Sequence, residues 1–127
     1  MFEKLELTRM AQALAAHSGA RMSVIAQNVA HADTPGFKSQ DLPSFDKVFA
    51  SAGPDLRATR AGHLSASSQD GTLVPERGPG REAPNGNTVS LEGEMVKSVE
   101  ARQSHEMALA IYRATSDVIR ASLGRSR

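Results

Sequence analysis

The stretch 28-NVAHADTPGFKSQD-41 marks the place where the first part of this 127-residue chain changes direction. Proline lacks a backbone N–H and moves the residue before it out of the helical region, so Thr34 cannot continue a helix. Pro35 and Gly36 suit the two central positions of a type II turn, the second of which needs a positive φ. A helix is therefore predicted to end near Ala32, where the chain turns sharply.

Two side chains beside the turn are predicted to hold it in place. Phe37 follows the turn and is placed to pack back against the end of the helix. Asn28 lies next to an apolar stripe and is placed to hydrogen-bond backbone groups of the turn. The alternative for Asn28 is an ordinary exposed position on the helix.

Upstream of the turn, apolar residues recur at spacings of three or four, which is typical of one face of a helix. Ser18 fills the single gap in this stripe, and successive steps of four residues there break a strict heptad. Any coiled-coil seam is therefore expected to unwind locally at Ser18 and Gly19. The stripe consists of Leu7, Met10, Leu14, Met22, Ile25, Val29 and Ala32.

The middle of the chain is rich in turn-forming residues. Six Gly and four Pro fall within the 34 residues from Gly53 to Gly86, with too few large apolar side chains to hold a compact fold. An i, i+3, i+4 apolar pattern that begins at Phe45 predicts one or two amphipathic turns, whose simplest role is to pin the loop. A short strand over 72–76 is possible, and Pro75 would confine it to a sheet edge.

A second long helix is predicted after the 84–87 turn. Ser90 is a good N-cap, and Glu92 and Glu94 lie where the helix dipole favours acids. The helix is expected to run to about Leu123. Because 100–106 is polar almost all round, the middle of this helix is predicted to be solvated or laterally contacted.

The last four turns of this helix carry two neighbouring heptad stripes, which together form one wide apolar face. Three charged residues on the opposite side are spaced to pair with one another. The first stripe is Leu109, Tyr112, Ser116, Ile119 and Leu123; the second is Ala108, Ile111, Thr115, Val118 and Ser122; the charged ridge is Arg113, Asp117 and Arg120.

Composition excludes several classes of function. Lys plus Arg is 15 against 14 for Asp plus Glu, so no long-range field would gather nucleic acid or an anionic membrane. There is no Cys, and His17, His31, His63 and His105 share no metal-ligand spacing, so neither a metal nor another cofactor is expected. No residues combine into a catalytic constellation or a phosphate loop, which argues against an enzyme and against a small-molecule substrate.

The start of the chain lacks the basic head and apolar run of a cleavable signal peptide, and no stretch reaches the ~18 apolar residues of a membrane span.

From the helix patterns at both ends we predict a mainly α fold in which two long terminal helices pair as a coiled-coil-like unit. A Gly/Pro-rich middle of irregular or short β structure joins them. The predicted domains are 1–34 for the first helix, 35–87 for the middle and 88–127 for the second helix.

Two paired helices cannot enclose all of their apolar surface, so the wide face of the second helix needs a protein partner. The stripe residues are therefore expected to form an intramolecular core and also to contact neighbouring subunits. The candidate assembly residues are Leu7, Met10, Leu14, Met22, Ile25, Leu109, Tyr112, Ile119 and Leu123.

The stretch around the turn resembles the N-terminal signature of the bacterial flagellar basal-body rod family, within the axial rod and hook group. That signature runs approximately Asn, aliphatic, Ala, Asn, two variable residues, Thr-Pro-Gly and an aromatic residue. His31 stands where the family usually has Asn. The matching residues are Asn28, Val29, Ala30, Thr34, Pro35, Gly36 and Phe37.

A second stretch, 85-NGNTVSLEGEM-95, resembles the start of the C-terminal helix in the short proximal-rod members of the same family. Ser90 replaces the usual Asp, and either residue can cap a helix. The matching residues are Asn85, Gly86, Asn87, Val89, Leu91, Glu92, Glu94 and Met95.

The resemblance implies a structural subunit of the flagellar rod, with terminal helices that form a coiled-coil domain. It implies assembly with copies of itself, with other rod proteins and with the adaptor that joins the rod to the membrane ring. It also implies residence in the periplasmic rod after export by the flagellar type III apparatus. The alternative is a soluble helical adaptor or chaperone-like binding module, which should melt cooperatively as a monomer or small oligomer.

Overall fold

Two long helices dominate the computed structural model, which describes residues 2–51 and 73–124. The elements are α1 (Phe2–Ala30), β1 (Gln40–Asp41), α2 (Phe45–Ser51), β2 (Glu76–Arg77) and α3 (Leu91–Ser122). The mainly α fold with a short β middle is as predicted. Predictions that concern 52–72, including His63, lie outside the described residues. No described helix has the length and hydropathy to span a membrane.

The helices α1 and α3 pack side by side and antiparallel. At one end Asn28 contacts Glu94, and half-way along His105 Nδ1 lies 3.1 Å from the Ala15 carbonyl oxygen. With 29 and 32 residues, the helices are about 44 and 48 Å long. The end of α1 and the start of α3 therefore lie at the same end of the pair, which we call the loop end.

The buried seam between the helices consists mostly of small residues. On α1, Ala11, Ser18 and Ile25 are buried at intervals of seven residues. The α3 side keeps the same interval at Glu94, Ala101, Ala108 and Thr115. The predicted break of the heptad at Ser18 and Gly19 is therefore wrong, because Ser18 itself occupies the seam and is small enough for the two backbones to approach closely.

This seam also revises the predicted contacts of α3. Of the two alternatives predicted for its middle, lateral contact is the one observed, since Ala101 is buried. Of the two C-terminal stripes, the one through Ala108 and Thr115 faces α1. The large residues flank the seam instead: Leu109, Ile111 and Ile119 are half-buried, while Tyr112, Val118 and Leu123 are exposed. On α1, Met10, Leu14 and Met22 are half-buried and Leu7 is exposed.

The described part of the middle segment packs along α1, from the loop end to the middle of the helix. The pattern at Phe45 forms the seven-residue α2, and the ring of Phe45 meets His17 edge-on at 5.7 Å. The strand expected over 72–76 is displaced: it covers Glu76–Arg77, after Pro75, which cannot donate to a ladder. Strand β2 pairs antiparallel with β1, with Gln40 opposite Arg77.

Candidate functional site

The turn after α1 has the predicted type II character. Gly36 has a φ of 74°, and the Phe37 N–H donates to the Thr34 carbonyl at 3.3 Å. The Phe37 ring stacks on His31 with ring centroids 4.6 Å apart, and His31 Nδ1 lies 3.2 Å from Thr34 Oγ1. The residue that departs from the family pattern, His31, therefore supplies a platform for the aromatic ring that follows the turn.

Gly36→Ala should lower the free energy of unfolding by about 1 to 2 kcal/mol, because a Cβ is strained at positive φ. A Cβ built at Gly36 meets nothing within 4 Å, so this cost isolates the backbone conformation. The matched control is Gly19→Ala, which also meets nothing within 4 Å but lies inside α1. It should raise stability by about 1 kcal/mol. Urea unfolding of both variants measures the two changes in the free energy of unfolding. If both variants lose stability, or both gain it, the type II turn at Gly36 would be contradicted.

A second tight turn, just before α3, packs against the first. The Gly86 N–H donates to the Ala83 carbonyl at 2.8 Å, and the Gly36 N–H donates to the Asn85 carbonyl at 3.0 Å. Gly86 has a φ of 80°, and a Cβ built there would lie 3.3 Å from Gly36 Cα. The two family-like stretches, 50 residues apart in sequence, thus meet backbone to backbone.

Asn87 ties the end of α1 to the start of α3. It is 3% exposed, and its Nδ2 lies within 2.9 Å of the carbonyl oxygens of His31, Ala32 and Thr34. Its Oδ1 accepts from the Val89 N–H at 2.7 Å. Asn87 therefore does what sequence reasoning assigned to Asn28: it satisfies backbone carbonyls at the helix end and in the turn.

Asn28 has different partners from those predicted. It is 1% exposed; its Oδ1 accepts from the Gln40 N–H at 3.0 Å and its Nδ2 donates to the Gln40 carbonyl at 2.7 Å. The same Nδ2 donates to Glu94 Oε2 at 3.1 Å. Asn28 pairs with the strand β1 rather than with the turn, because the turn has already carried the chain back alongside α1 by Gln40.

Four charged side chains complete this junction. Glu94 is 2% exposed, and its other oxygen accepts from Lys97 Nζ at 3.0 Å. Arg21 Nε donates to Asp41 Oδ1 at 3.0 Å, and Lys97 Nζ lies 3.5 Å from Asp41 Oδ2. We call the five residues Arg21, Asn28, Asp41, Glu94 and Lys97 the polar clamp. Its two positive and two negative charges balance, which makes the burial of Glu94 tolerable.

Asp41 is the titratable centre of the polar clamp. Burial by itself would raise the pKa of Asp41, but the hydrogen bond and charge of Arg21 outweigh it, and the Leu42 N–H and Lys97 add to the lowering. The pKa of Asp41 is therefore below its usual value. Arg21 shows the reciprocal effect, since its hydrogen bond to Asp41 raises the pKa of the guanidinium.

Acid should weaken the polar clamp. The pKa of Asp41 is lowered in the folded chain, so ionised Asp41 stabilises the folded state. This stabilisation is fully present above the unfolded pKa of about 4 and is lost as the pH falls through the folded pKa. The melting temperature should therefore fall on acidification from about pH 5. Asp41→Asn should lower the melting temperature at neutral pH and reduce its dependence on pH. The exposed control Asp46→Asn should leave this pH dependence unchanged. An unchanged pH dependence in Asp41→Asn would contradict the clamp.

Sequence reasoning missed most of the polar clamp. Glu94 was assigned to the helix dipole and not to a buried contact, and Arg21, Asp41 and Lys97 were not singled out. A signal existed on α1, where Leu14, Arg21 and Asn28 follow one another at intervals of seven. Polar residues in register with an apolar seam position indicate a buried polar contact between helices.

The other residues predicted for the start of α3 divide between the cap and the surface. Ser90 is the N-cap, and its Oγ accepts from the Gly93 N–H at 3.3 Å. Val89 is half-buried, whereas Leu91, Glu92 and Met95 are exposed. The exposed members of this motif are available for contacts outside the chain.

The described buried polar groups serve the packing of the chain on itself. Within 2–51 and 73–124, no group of three or more His, Asp or Glu side chains is arranged to hold a metal ion. No buried side-chain nitrogen or oxygen of these residues lacks a hydrogen-bond partner. The arrangement is a long antiparallel helix pair of the coiled-coil type, with the residues that flank the helix ends fixed at the loop end.

Comparison with known proteins finds two flagellar rod proteins that are similar to the chain. The chain is 24% identical over 118 residues to the flagellar basal body rod protein FlgB of Agrobacterium fabrum, covering 88% of each chain. It is 27% identical over 101 residues to FlgB of Salmonella typhimurium, covering 72% of this chain and 73% of that protein. No model of a known protein family matches the chain. These similarities indicate a FlgB-like protein, a structural subunit of the flagellar basal-body rod.

Proposed function

We propose that this chain assembles helically with copies of itself and with other rod proteins to form part of the proximal rod. The adaptor between the rod and the membrane ring is a further partner. The chain is delivered to the periplasmic rod by the flagellar type III apparatus, and it has no catalytic role.

The observation that carries this proposal is the apolar surface left uncovered by the helix pair. The seam buries small residues such as Ala101 and Ala108, whereas larger side chains such as Met95, Val99 and Leu123 remain exposed. Large apolar side chains that stay exposed on a folded chain are stabilised by packing against neighbours. No observation favours the soluble adaptor.

A deletion strain of the source bacterium tests the proposal. Loss of the gene should abolish motility, and a tagged wild-type chain should restore it and co-purify with basal bodies. Unchanged motility in the deletion strain, or a tagged chain that never enters basal bodies, would overturn the proposal. The purified chain should show frayed termini and a tendency to polymerise, whereas a cooperatively melting monomer would support an adaptor.

A further inference from the structure

Asn85 and Gly86 form the one Asn-Gly pair of the sequence, in the tight turn before α3. Such a pair is chemically reactive, because the backbone nitrogen of Gly86 can attack the side-chain carbon Cγ of Asn85 and glycine has no Cβ to block the approach. Asn85 is exposed, so water reaches it. Asn28 and Asn87, in contrast, are buried and are followed by β-branched residues that crowd the backbone nitrogen. Asn85 is therefore the asparagine suited to this chemistry.

The reaction is deamidation, and water is its only co-reactant. A bond forms between Gly86 N and Asn85 Cγ as the Cγ–Nδ2 bond breaks, and the amide proton of Gly86 leaves with Nδ2 as ammonia. Water then adds to one of the two carbonyl carbons of the resulting five-membered succinimide ring and breaks the bond from that carbon to nitrogen. Opening at one carbon gives aspartate. Opening at the other gives isoaspartate, in which the main chain runs through Cβ and Cγ and is one carbon longer.

The fold holds Asn85 in a conformation that opposes ring closure. The Gly86 N–H donates to the Ala83 carbonyl at 2.8 Å, which makes Pro84 and Asn85 the central residues of the turn. No described residue other than glycine has a positive φ, so this turn is type I and not type II. The ψ of Asn85 in a type I turn is about 0°, which brings the Gly86 nitrogen toward the Asn85 nitrogen and away from Cβ. Cγ is then not aligned with the nitrogen that would attack it.

Hydrogen bonds keep the turn in this conformation. The Gly86 N–H, whose proton the reaction must remove, is bound to the Ala83 carbonyl, and the Ala83 N–H donates to the Asn87 carbonyl at 2.8 Å. Asn85 Oδ1 accepts from the Asn87 N–H at 3.1 Å, so the side chain of Asn85 is held as well. The Asn85 carbonyl accepts from the Gly36 N–H at 3.0 Å, which ties the turn to the end of α1. The loop end must open before the ring can close.

We infer that Asn85 is a deamidation site that reacts in the unfolded chain and is protected in the folded one. The fraction of modified chains therefore records how long the chain has spent unfolded. Loss of ammonia makes the change irreversible. The isoaspartate product lengthens the main chain where space is short, since a Cβ built at Gly86 would lie 3.3 Å from Gly36 Cα. Isoaspartate at position 85 therefore prevents the two turns from packing together, whatever the chain assembles with.

Incubation of the purified full chain in mildly alkaline buffer tests the protection, with guanidinium chloride in one arm and sodium chloride of equal concentration in the other. Mass spectrometry of peptides should show deamidation of Asn85 at least about tenfold slower in sodium chloride, where it requires local opening. In that arm Asn87→Ala should deamidate faster than the wild-type chain, because three contacts to the end of α1 are lost. The exposed control Gln27→Glu should match the wild-type chain. Equal rates in the two wild-type arms, or an unreactive Asn85 in guanidinium chloride, would overturn the inference.

The effect of the longer main chain is measured against Asn85→Asp, which carries the same added charge on a normal main chain. Chains with isoaspartate at position 85 are separated by chromatography after the guanidinium incubation and identified by peptide, which distinguishes them from isoaspartate formed at Asp70-Gly71. After the denaturant is removed, amides from His31 to Phe37 should exchange faster in the isoaspartate chain than in Asn85→Asp, whose side-chain oxygen can still accept from the Asn87 N–H. Equal exchange in the two chains would overturn the effect assigned to isoaspartate.

Discussion

Asn28→Asp should destabilise the chain more than any other single isosteric change at the loop end, by about 3 to 5 kcal/mol. The new carboxylate would replace a donor that lies 3.1 Å from Glu94 Oε2 and 2.7 Å from the Gln40 carbonyl oxygen. Acceptors would then face acceptors in a buried site, with two adjacent negative charges. Such a loss is a large part of the roughly 5 to 15 kcal/mol that typically stabilises a domain.

Urea unfolding followed by circular dichroism measures this effect, and Gln27→Glu is the matched control. Gln27 is the preceding residue on α1 and is exposed, so it takes the same added charge without entering the polar clamp. Its stability should change by no more than about 0.5 kcal/mol. The difference in the free energy of unfolding between the two variants should become smaller in acid, since the introduced carboxyl group can donate a hydrogen bond once it is protonated. Similar stabilities at neutral pH would show that the clamp does not hold the loop.

Asn87→Ala should cost about 2 to 4 kcal/mol and loosen the end of α1. Alanine leaves the carbonyl groups of His31, Ala32 and Thr34 without the amide that reaches them. It also leaves the Val89 N–H, one residue before the N-cap, without its acceptor. Because Asn87 is buried, water cannot readily take the place of the lost amide.

Hydrogen exchange shows which amides lose protection in Asn87→Ala and by how much. Amides from His31 to Phe37 should exchange faster in Asn87→Ala, while those in the middle of the seam keep the protection set by global unfolding. Asn85→Ala is the control, because Asn85 is exposed and its side chain accepts one hydrogen bond, from the Asn87 N–H at 3.1 Å. Exchange that rises equally in both variants would contradict the role given to Asn87.

Local signals predicted the elements well because the forces that define them act over a few residues. Pro35 and Gly36 set the turn by their own backbone preferences, and Ser90 caps α3 through a bond three residues away. The pattern at Phe45 gave α2 for the same reason. The strand expected over 72–76 covers Glu76–Arg77 instead, since its position depends on the partner strand β1 as well as on its own sequence.

Partners distant in sequence could not be predicted in this way. Asn28 and Asn87 are both asparagines beside the same turn, and only the path of the chain after Gly36 decides which of them meets the turn and which meets β1. Glu94 lies 66 residues from Asn28, and no local pattern links the two. The seam was also misjudged, because large apolar residues predict a buried face whereas close helix approach selects small ones.

The amino-acid sequence by itself determined two long helices, the turn that ends the first, the cap that starts the second and the resemblance to the flagellar rod family. These features follow from backbone sterics, capping and hydrophobic periodicity, which are properties of short segments. Only the tertiary structure decided that Ala101 and Ala108 form the seam, that the polar clamp fixes the loop, and that Met95 and Val99 face outward. Burial is a property of two surfaces in contact, so it is known only when both helices are in place.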